Sequence, residues 1–169
     1  MAAHLISLIG IVFVIATFCA MASDAWRMEI PNYISIVLAI SFIIFASLTP
    51  AVPPVAHFAT ATIVFAVAVG FFTIGWFGGG DVKFLGATAL WAGPDHILPV
   101  LLAMSVVGVV LSMTIALLIK TRWAGIANTG SHGPDARGPR LWIEAGACPY
   151  GIAIGLGGLL FIAPNIFAV

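Results

Sequence analysis

The sequence predicts an all-α protein: a polytopic membrane bundle of six transmembrane helices with a short fourth span. Of its 169 residues, 62% are hydrophobic and 7% are charged, and the mean hydropathy is +1.19. A water-soluble globule normally has about 25% charged residues, so this composition excludes one. Each crossing takes roughly 20 residues, which leaves room for one such bundle. The net charge of zero gives no indication of nucleic-acid binding.

The first three spans are predicted at residues 4–22, 31–48 and 57–76. A cleaved signal peptide has positive charges before its apolar run. Here the first positive charge of the chain, Arg27, follows the run, so the run is not interpreted as a signal peptide. Pro31 suits the start of the second span, since the first helical positions have no intrahelical acceptor for their N–H groups. Glycines at 78–80 do not readily continue a helix, so a turn is predicted after the third span.

The last three spans are predicted at residues 81–92, 97–119 and 147–162. The fourth has only about half the length needed to cross a membrane, so it must be short, tilted or next to a water-filled cavity. A turn at 92–95 separates it from the fifth. Residues 120–146 form the only long polar loop, which is predicted to be cytoplasmic.

The basic residues lie on one side of this arrangement. All six fall in three loops: Arg27, Lys83, Lys120, Arg122, Arg137 and Arg140. By the positive-inside rule this side is cytoplasmic, which places both termini outside. Asp24 and Asp81 then lie at the same, inner membrane face.

These two aspartates are the candidate catalytic residues. Each lies at the end of an apolar run, where burial of a charge is expensive. Two carboxylates at close range share a proton, because they cannot both ionise cheaply. One can then take a proton from water while the other donates one to a peptide carbonyl or a leaving amine. The pair therefore indicates peptide hydrolysis.

Three motifs resemble those of the type IV prepilin peptidases, which are membrane aspartic proteases of the GxGD type. Residues 78–83, GGGDVK, are similar to the family's G-x-G-D-x-K signature. Asp24 with Ile30-Pro31-Asn32 behind it resembles the first motif, and Pro149-Tyr150-Gly151 resembles the P-[YF]-G element. They occur in the family's order and cover essentially the whole chain, which we interpret as one prepilin-peptidase-like domain over residues 1–169.

The resemblance implies an aspartic endopeptidase that removes the basic leader of prepilins at the cytoplasmic face of the bacterial inner membrane. Asp24 and Asp81 would be its catalytic pair, and prepilin and membrane lipid its partners; no cofactor or metal is expected. Cys19 and Cys148 form no C-x-x-C pair. The chain therefore resembles the short, peptidase-only branch of the Flp or tight-adherence pilus type, without methyltransferase activity.

The residues around Asp81 and Asp24 have two interpretations each. Gly78 and Gly80 either let a substrate backbone approach Asp81 or simply end a helix. Lys83 either tunes the aspartate pair or anchors the topology at the inner face, and Arg27 is interpreted mainly as such an anchor.

Two further motifs are equally open. Pro31 and Asn32 either start the second span or, in the case of Asn32, orient Asp24. Pro149, Tyr150 and Gly151 either line a substrate groove or mark a helix start and a membrane interface. Acidic residues are available to contact a basic leader on the inner side: Glu29, Asp135 and Glu144.

Other functions fit part of the pattern. A small transporter or channel would use Asp24, Asp81 and Lys83 along an ion path. A non-catalytic assembly partner would use both aspartates for packing. The oligomeric state is not indicated.

We interpret the tryptophans near span ends, Trp26, Trp76, Trp91, Trp123 and Trp142, as an interfacial belt, and His4, His57 and His96 as interfacial polar residues.

Overall fold

The computed structural model describes residues 2–126 and 148–167, and within them the only regular secondary structure is helical, which confirms the predicted all-α class. The helices are α1 (Ala2–Arg27), α2 (Asn32–Leu48), α3 (Pro54–Thr73), α4 (Gly79–Ile126), α5 (Tyr150–Phe161) and α6 (Ala163–Phe167). Helix α4 packs against α3 and α5, while α1 packs against α2 and α5.

Four helical stretches are long and apolar enough to cross a membrane: His4–Arg27, Pro54–Thr73, Gly79–Leu117 and Tyr150–Phe167. Helix α2 is also apolar but has only 17 residues, which corresponds to about 26 Å. The structure therefore supports a membrane protein with several apolar helices, and the count of six crossings stays a prediction.

Several predicted boundaries were wrong. Helix α1 continues to Arg27, and α4 starts at Gly79, so Asp24 and Asp81 lie within helices and not in loops. Glycine can adopt helical backbone angles at an entropic cost, so Gly79 and Gly80 belong to the first turn of α4 and not to the turn before it. Helix α3 covers Pro54–Thr73 instead of 57–76, and α5 begins at Tyr150.

The predicted loop at 120–146 also needs correction. Helix α4 continues through its first residues to Ile126, and the remainder lies outside the described residues. Asp135 and Glu144 belong to that remainder.

The predicted break at 92–95 is present as a kink at Gly93, which separates two helical segments of α4. Gly93 has φ 60° and ψ −172°, and the helix resumes directly at Pro94. Proline has no N–H group, so the carbonyl of Leu90 loses its usual helical donor. The ring of His57 replaces this donor, with Nδ1 lying 2.8 Å from the Leu90 oxygen. His57, interpreted above as an interfacial residue, therefore stabilises the kink.

Replacing Gly93 with alanine should destabilise the fold by about 1–3 kcal/mol, because only glycine readily adopts this backbone conformation. A Cβ atom at Gly93 would also collide with the His57 ring. Denaturation of the purified protein in mixed micelles measures the loss. Gly70→Ala is the matched control, since a Cβ there meets nothing within 4 Å. It should be neutral or should stabilise α3 by up to about 1 kcal/mol. Equal stability of the two variants would contradict the role of Gly93.

Trp91 is part of the core and not of an interfacial belt, which corrects its interpretation above. Its side chain is 4% exposed, and its indole N–H donates to the Leu38 carbonyl at 2.8 Å. Its ring packs against Phe13 on α1 at 4.8 Å and Phe45 on α2 at 5.2 Å between centroids. This cluster fixes the first segment of α4 (residues 79–92) against α1 and α2. Trp26 and Trp76, in contrast, are exposed.

Candidate active site

Asp24 lies in the last turn of α1, where the chain folds back sharply toward α2. Met28 has a positive φ of 54°, and its N–H donates to the Asp24 carbonyl at 2.8 Å. The Ser23 hydroxyl donates to the Glu29 carbonyl at 2.7 Å, which closes the turn. The Asp24 side chain is 4% exposed, so its carboxylate faces the protein interior.

Asp81 lies in the first turn of α4, and the close approach of Gly80 to Ile30 places it beside the α1–α2 connection. A Cβ atom at Gly80 would lie 3.2 Å from both the Cβ and the backbone nitrogen of Ile30. Only glycine fits between these two backbones without displacing one of them. The N-terminal turn of a helix also favours a negatively charged side chain.

Both aspartates line one cavity of about 420 Å³. Its lining comes from the end of α1, the α1–α2 connection and the start of α4: Ser23, Asp24, Arg27, Met28, Glu29, Ile30, Pro31, Asn32, Gly78, Gly79, Gly80 and Asp81. The two carboxyl groups are close enough to interact electrostatically. The structure thus brings together Asp24 and Asp81, which are far apart in the sequence.

The start of α5 contacts this site from the opposite side. The backbone N–H of Gly151 donates to Asp24 Oδ2 at 2.7 Å, and this hydrogen bond is buried. Pro149 is fully buried, and Tyr150 packs against Phe77 with ring centroids 5.6 Å apart. These three residues, predicted as a possible substrate groove, are not part of the cavity lining. The contact of Gly151 with Asp24 was not predicted, because a backbone donor leaves no side-chain signal in the sequence.

Lys83 contacts Asn32 and thereby connects the motif of α4 with that of α2. Its Nζ donates to Asn32 Oδ1 at 2.8 Å. Both side chains are exposed. Arg27, Pro31, Asn32, Gly78 and Gly80 line the cavity, as described above, whereas Lys83 lies outside its lining.

The chemistry of the site rests on carboxyl groups. The cavity lining contains three acidic residues, Asp24, Glu29 and Asp81, and one basic residue, Arg27. Within residues 2–126 and 148–167, no three His, Cys, Asp or Glu side chains are grouped so that they could hold a metal ion. Burial raises the pKa of the nearby Cys148 thiol, which disfavours the reactive thiolate. Two acids in one open cavity suit proton transfer to and from a bound peptide and a water molecule.

The fold and the site together define a helical membrane protein with a cavity formed around two aspartates at helix ends. The chain belongs to the type IV leader peptidase family, whose sequence profile matches residues 11–113. Peptidases of this family are of the aspartic type. The matched region contains Asp24 and Asp81 and ends before Gly151. Comparison with curated proteins and with solved structures gives no further match.

Proposed function

We propose that this chain is an aspartic endopeptidase that removes the basic leader from type IV prepilins of the Flp kind. Asp24 and Asp81 act as its acid–base pair at the cytoplasmic face of the bacterial inner membrane. The observation that carries this proposal is the single cavity lined by both carboxyl groups. Membership of the type IV leader peptidase family supports the reaction class.

The proposed reaction transfers protons between the pair, a water molecule and the scissile peptide. One carboxylate takes a proton from the water as its oxygen attacks the carbonyl carbon, while the other carboxyl group gives a proton to the carbonyl oxygen. As the C–N bond breaks, the first gives the proton it took to the leaving amine, and the second recovers a proton from the former carbonyl oxygen. The carboxyl groups are regenerated, and no covalent intermediate is needed.

We propose six crossings with both termini outside. The apolar stretch Gly79–Leu117 has 39 residues, or about 58 Å of helix, which is nearly twice the hydrocarbon thickness of about 30 Å. Two crossings that meet near the kink at Gly93 use this length. Arg27 and Lys83 lie at the same end of the bundle as the aspartates, which supports a cytoplasmic position for the site.

The substrate would place its apolar helix in the membrane and its basic leader at the acidic cavity. Exposed Glu29 on the cavity wall has the charge needed to attract a basic leader. We propose cleavage without methyl transfer, since Cys19 and Cys148 do not form the paired C-x-x-C motifs that mark the longer members of the resembled family, which also methylate the new N-terminus.

The purified chain and a purified Flp-type prepilin in detergent micelles provide the test. We expect one cut between the basic leader and the apolar helix, with the new N-terminus identified by mass spectrometry. A precursor that stays intact, together with ion flux through vesicles containing the protein, would favour a transporter instead.

Lys83 and Asn32 should act on cleavage as a unit, since they share a hydrogen bond of 2.8 Å. We expect Lys83→Met and Asn32→Ala each to lower the cleavage rate by about ten-fold, and the double variant to lose little more than either single one. Rates measured for all three variants test this coupling. The control is the double variant Lys83→Met with Arg27→Gln. Its loss in the logarithm of the cleavage rate should equal the sum of the losses of the two single variants. A double variant about a hundred-fold slower than the native protein would show that Lys83 and Asn32 act independently.

A further inference from the structure

The two candidate catalytic carboxyl groups differ in their hydrogen-bond partners. Asp24 Oδ2 accepts a buried hydrogen bond of 2.7 Å from the N–H of Gly151. This donor belongs to the first turn of α5, a helix of 12 residues. An amide N–H can only donate, so it favours the ionised form of the carboxyl group that accepts from it. The partial positive charge at the N-terminal end of α5 adds to this effect and opposes the partial negative charge at the C-terminal end of α1, where Asp24 lies.

The hydrogen bonds to Asp81 stabilise a negative charge less than those to Asp24 do. It accepts a backbone hydrogen bond from Gly78 and lies in the first turn of its own helix. Its Oδ1, however, is buried and has no hydrogen-bond partner among the described residues, whereas neither oxygen of Asp24 is in that state. A buried oxygen without a donor is an unfavourable place for a negative charge but can carry a proton.

From these contacts we propose that the backbone N–H of Gly151 is a positioning group that holds Asp24 as the ionised member of the pair and leaves the proton on Asp81. This rests on the proposed function and deepens it by assigning the two roles. Asp24 takes the proton from water, and Asp81 Oδ1 gives its proton to the scissile carbonyl oxygen. As the C–N bond breaks, Asp24 gives its proton to the amine, and Asp81 recovers one from the former carbonyl.

Gly151 also controls the distance between α5 and Asp24. A Cβ atom at this position would lie 2.8 Å from Asp24 Oδ2 and 2.8 Å from Ile30 Cδ1. Glycine therefore lets the amide approach to hydrogen-bond distance. This gives the P-Y-G element a role at the catalytic pair, although its side chains do not line the cavity.

The protonation states can be measured directly in the native protein. The chain has four aspartates, Asp24, Asp81, Asp95 and Asp135, so carbon-13 labelling of aspartate carboxyl groups gives few signals, assignable from single Asp→Asn variants. We expect a range of pH in which Asp24 gives the signal of a carboxylate and Asp81 that of a carboxylic acid. The reverse order, or titration of both over the same range, would overturn the proposal. Because no substrate is needed, this result is independent of whether the chain cleaves prepilins.

The role of the Gly151 N–H is tested by two variants that share the added Cβ. Gly151→Ala keeps the N–H, whereas Gly151→Pro removes it at a position in the first turn where proline is tolerated. The proline ring also puts Cδ where the amide hydrogen was, next to Asp24 Oδ2, so the pH dependence of Asp24, and not the cleavage rate, reports the loss of the donor. The other charged or titratable groups around the cavity and beside Asp24 stay unchanged in both variants: Asp81, Arg27, Glu29 and Cys148.

We expect both variants to be slower than the native protein, because both crowd Asp24. In the proline variant, the cleavage rate should also begin to fall, as the pH is lowered, about one pH unit higher than in the alanine variant. The carbon-13 titration of Asp24 should move by the same amount in the same direction. The same pH for this fall in rate and the same Asp24 titration in both folded variants would show that the N–H has no such role. If the proline variant does not fold, the native titration alone decides which aspartate is ionised.

Discussion

Asp24→Asn should abolish leader cleavage, and Asp81→Asn should do the same on its own. Both carboxyl groups line the same cavity, and in the proposed mechanism each performs a proton transfer that an amide cannot. Loss of either step should lower the cleavage rate by at least about a thousand-fold. Cleavage of a purified prepilin, followed by gel shift and mass spectrometry, measures the effect.

The control for this prediction is Asp95→Asn. Asp95 is exposed and follows the kink. The whole first segment of α4 therefore lies between Asp95 and Asp81. Its replacement should leave the rate within about two-fold of the native value, as is usual for surface substitutions away from a site. All three proteins should accumulate in the membrane in similar amounts. Native-rate cleavage by either Asp24→Asn or Asp81→Asn would refute the catalytic pair.

Gly80→Val should cause the second largest loss, by moving the two aspartates apart. A single Cβ at Gly80 already lies 3.2 Å from the Ile30 backbone nitrogen, and the two further methyl groups of valine require a larger displacement. A displacement of about 1 Å can cost about a hundred-fold in rate. Gly80→Ala should lose about ten-fold, because a smaller shift relieves its contact.

The adjacent glycine provides the matched control. A Cβ at Gly79 would lie 3.6 Å from the Phe72 ring, which is an ordinary contact, so Gly79→Ala should cleave at nearly the native rate. Rates for the three variants, with circular dichroism to confirm helicity, test the prediction. If Gly79→Ala and Gly80→Ala lose activity equally, the glycines act through helix propensity and not through the contact with Ile30.

The sequence predicted the helical class and the meeting of the two aspartates, because both depend on strong signals. Long apolar runs give the helices, and Asp24 and Asp81 are exceptional charges at their ends. The family motifs connected the two positions. Helix ends were less accurate, since hydropathy marks where a chain is apolar and not where its hydrogen bonding stops. Helix α1, for example, continues beyond its apolar run to Arg27.

Contacts made by the backbone were not predictable in the same way. The donor to Asp24 is the N–H of Gly151, which every residue except proline possesses. Trp91 was misinterpreted as interfacial, and the role of His57 at the kink was missed, because their partners are the carbonyls of Leu38 and Leu90, which every residue possesses. Such pairs become visible only when distant helices are placed side by side.

The rim of the aspartate cavity bears on how water, the second reactant of the proposed hydrolysis, would reach the two carboxyl groups. Arg27, Glu29 and Asn32 are exposed where they border this cavity, and their polar groups attract water. Each peptide bond cut consumes one water molecule. Under the proposed function, with the site at the cytoplasmic face, this polar mouth would admit that molecule directly from the bulk solvent.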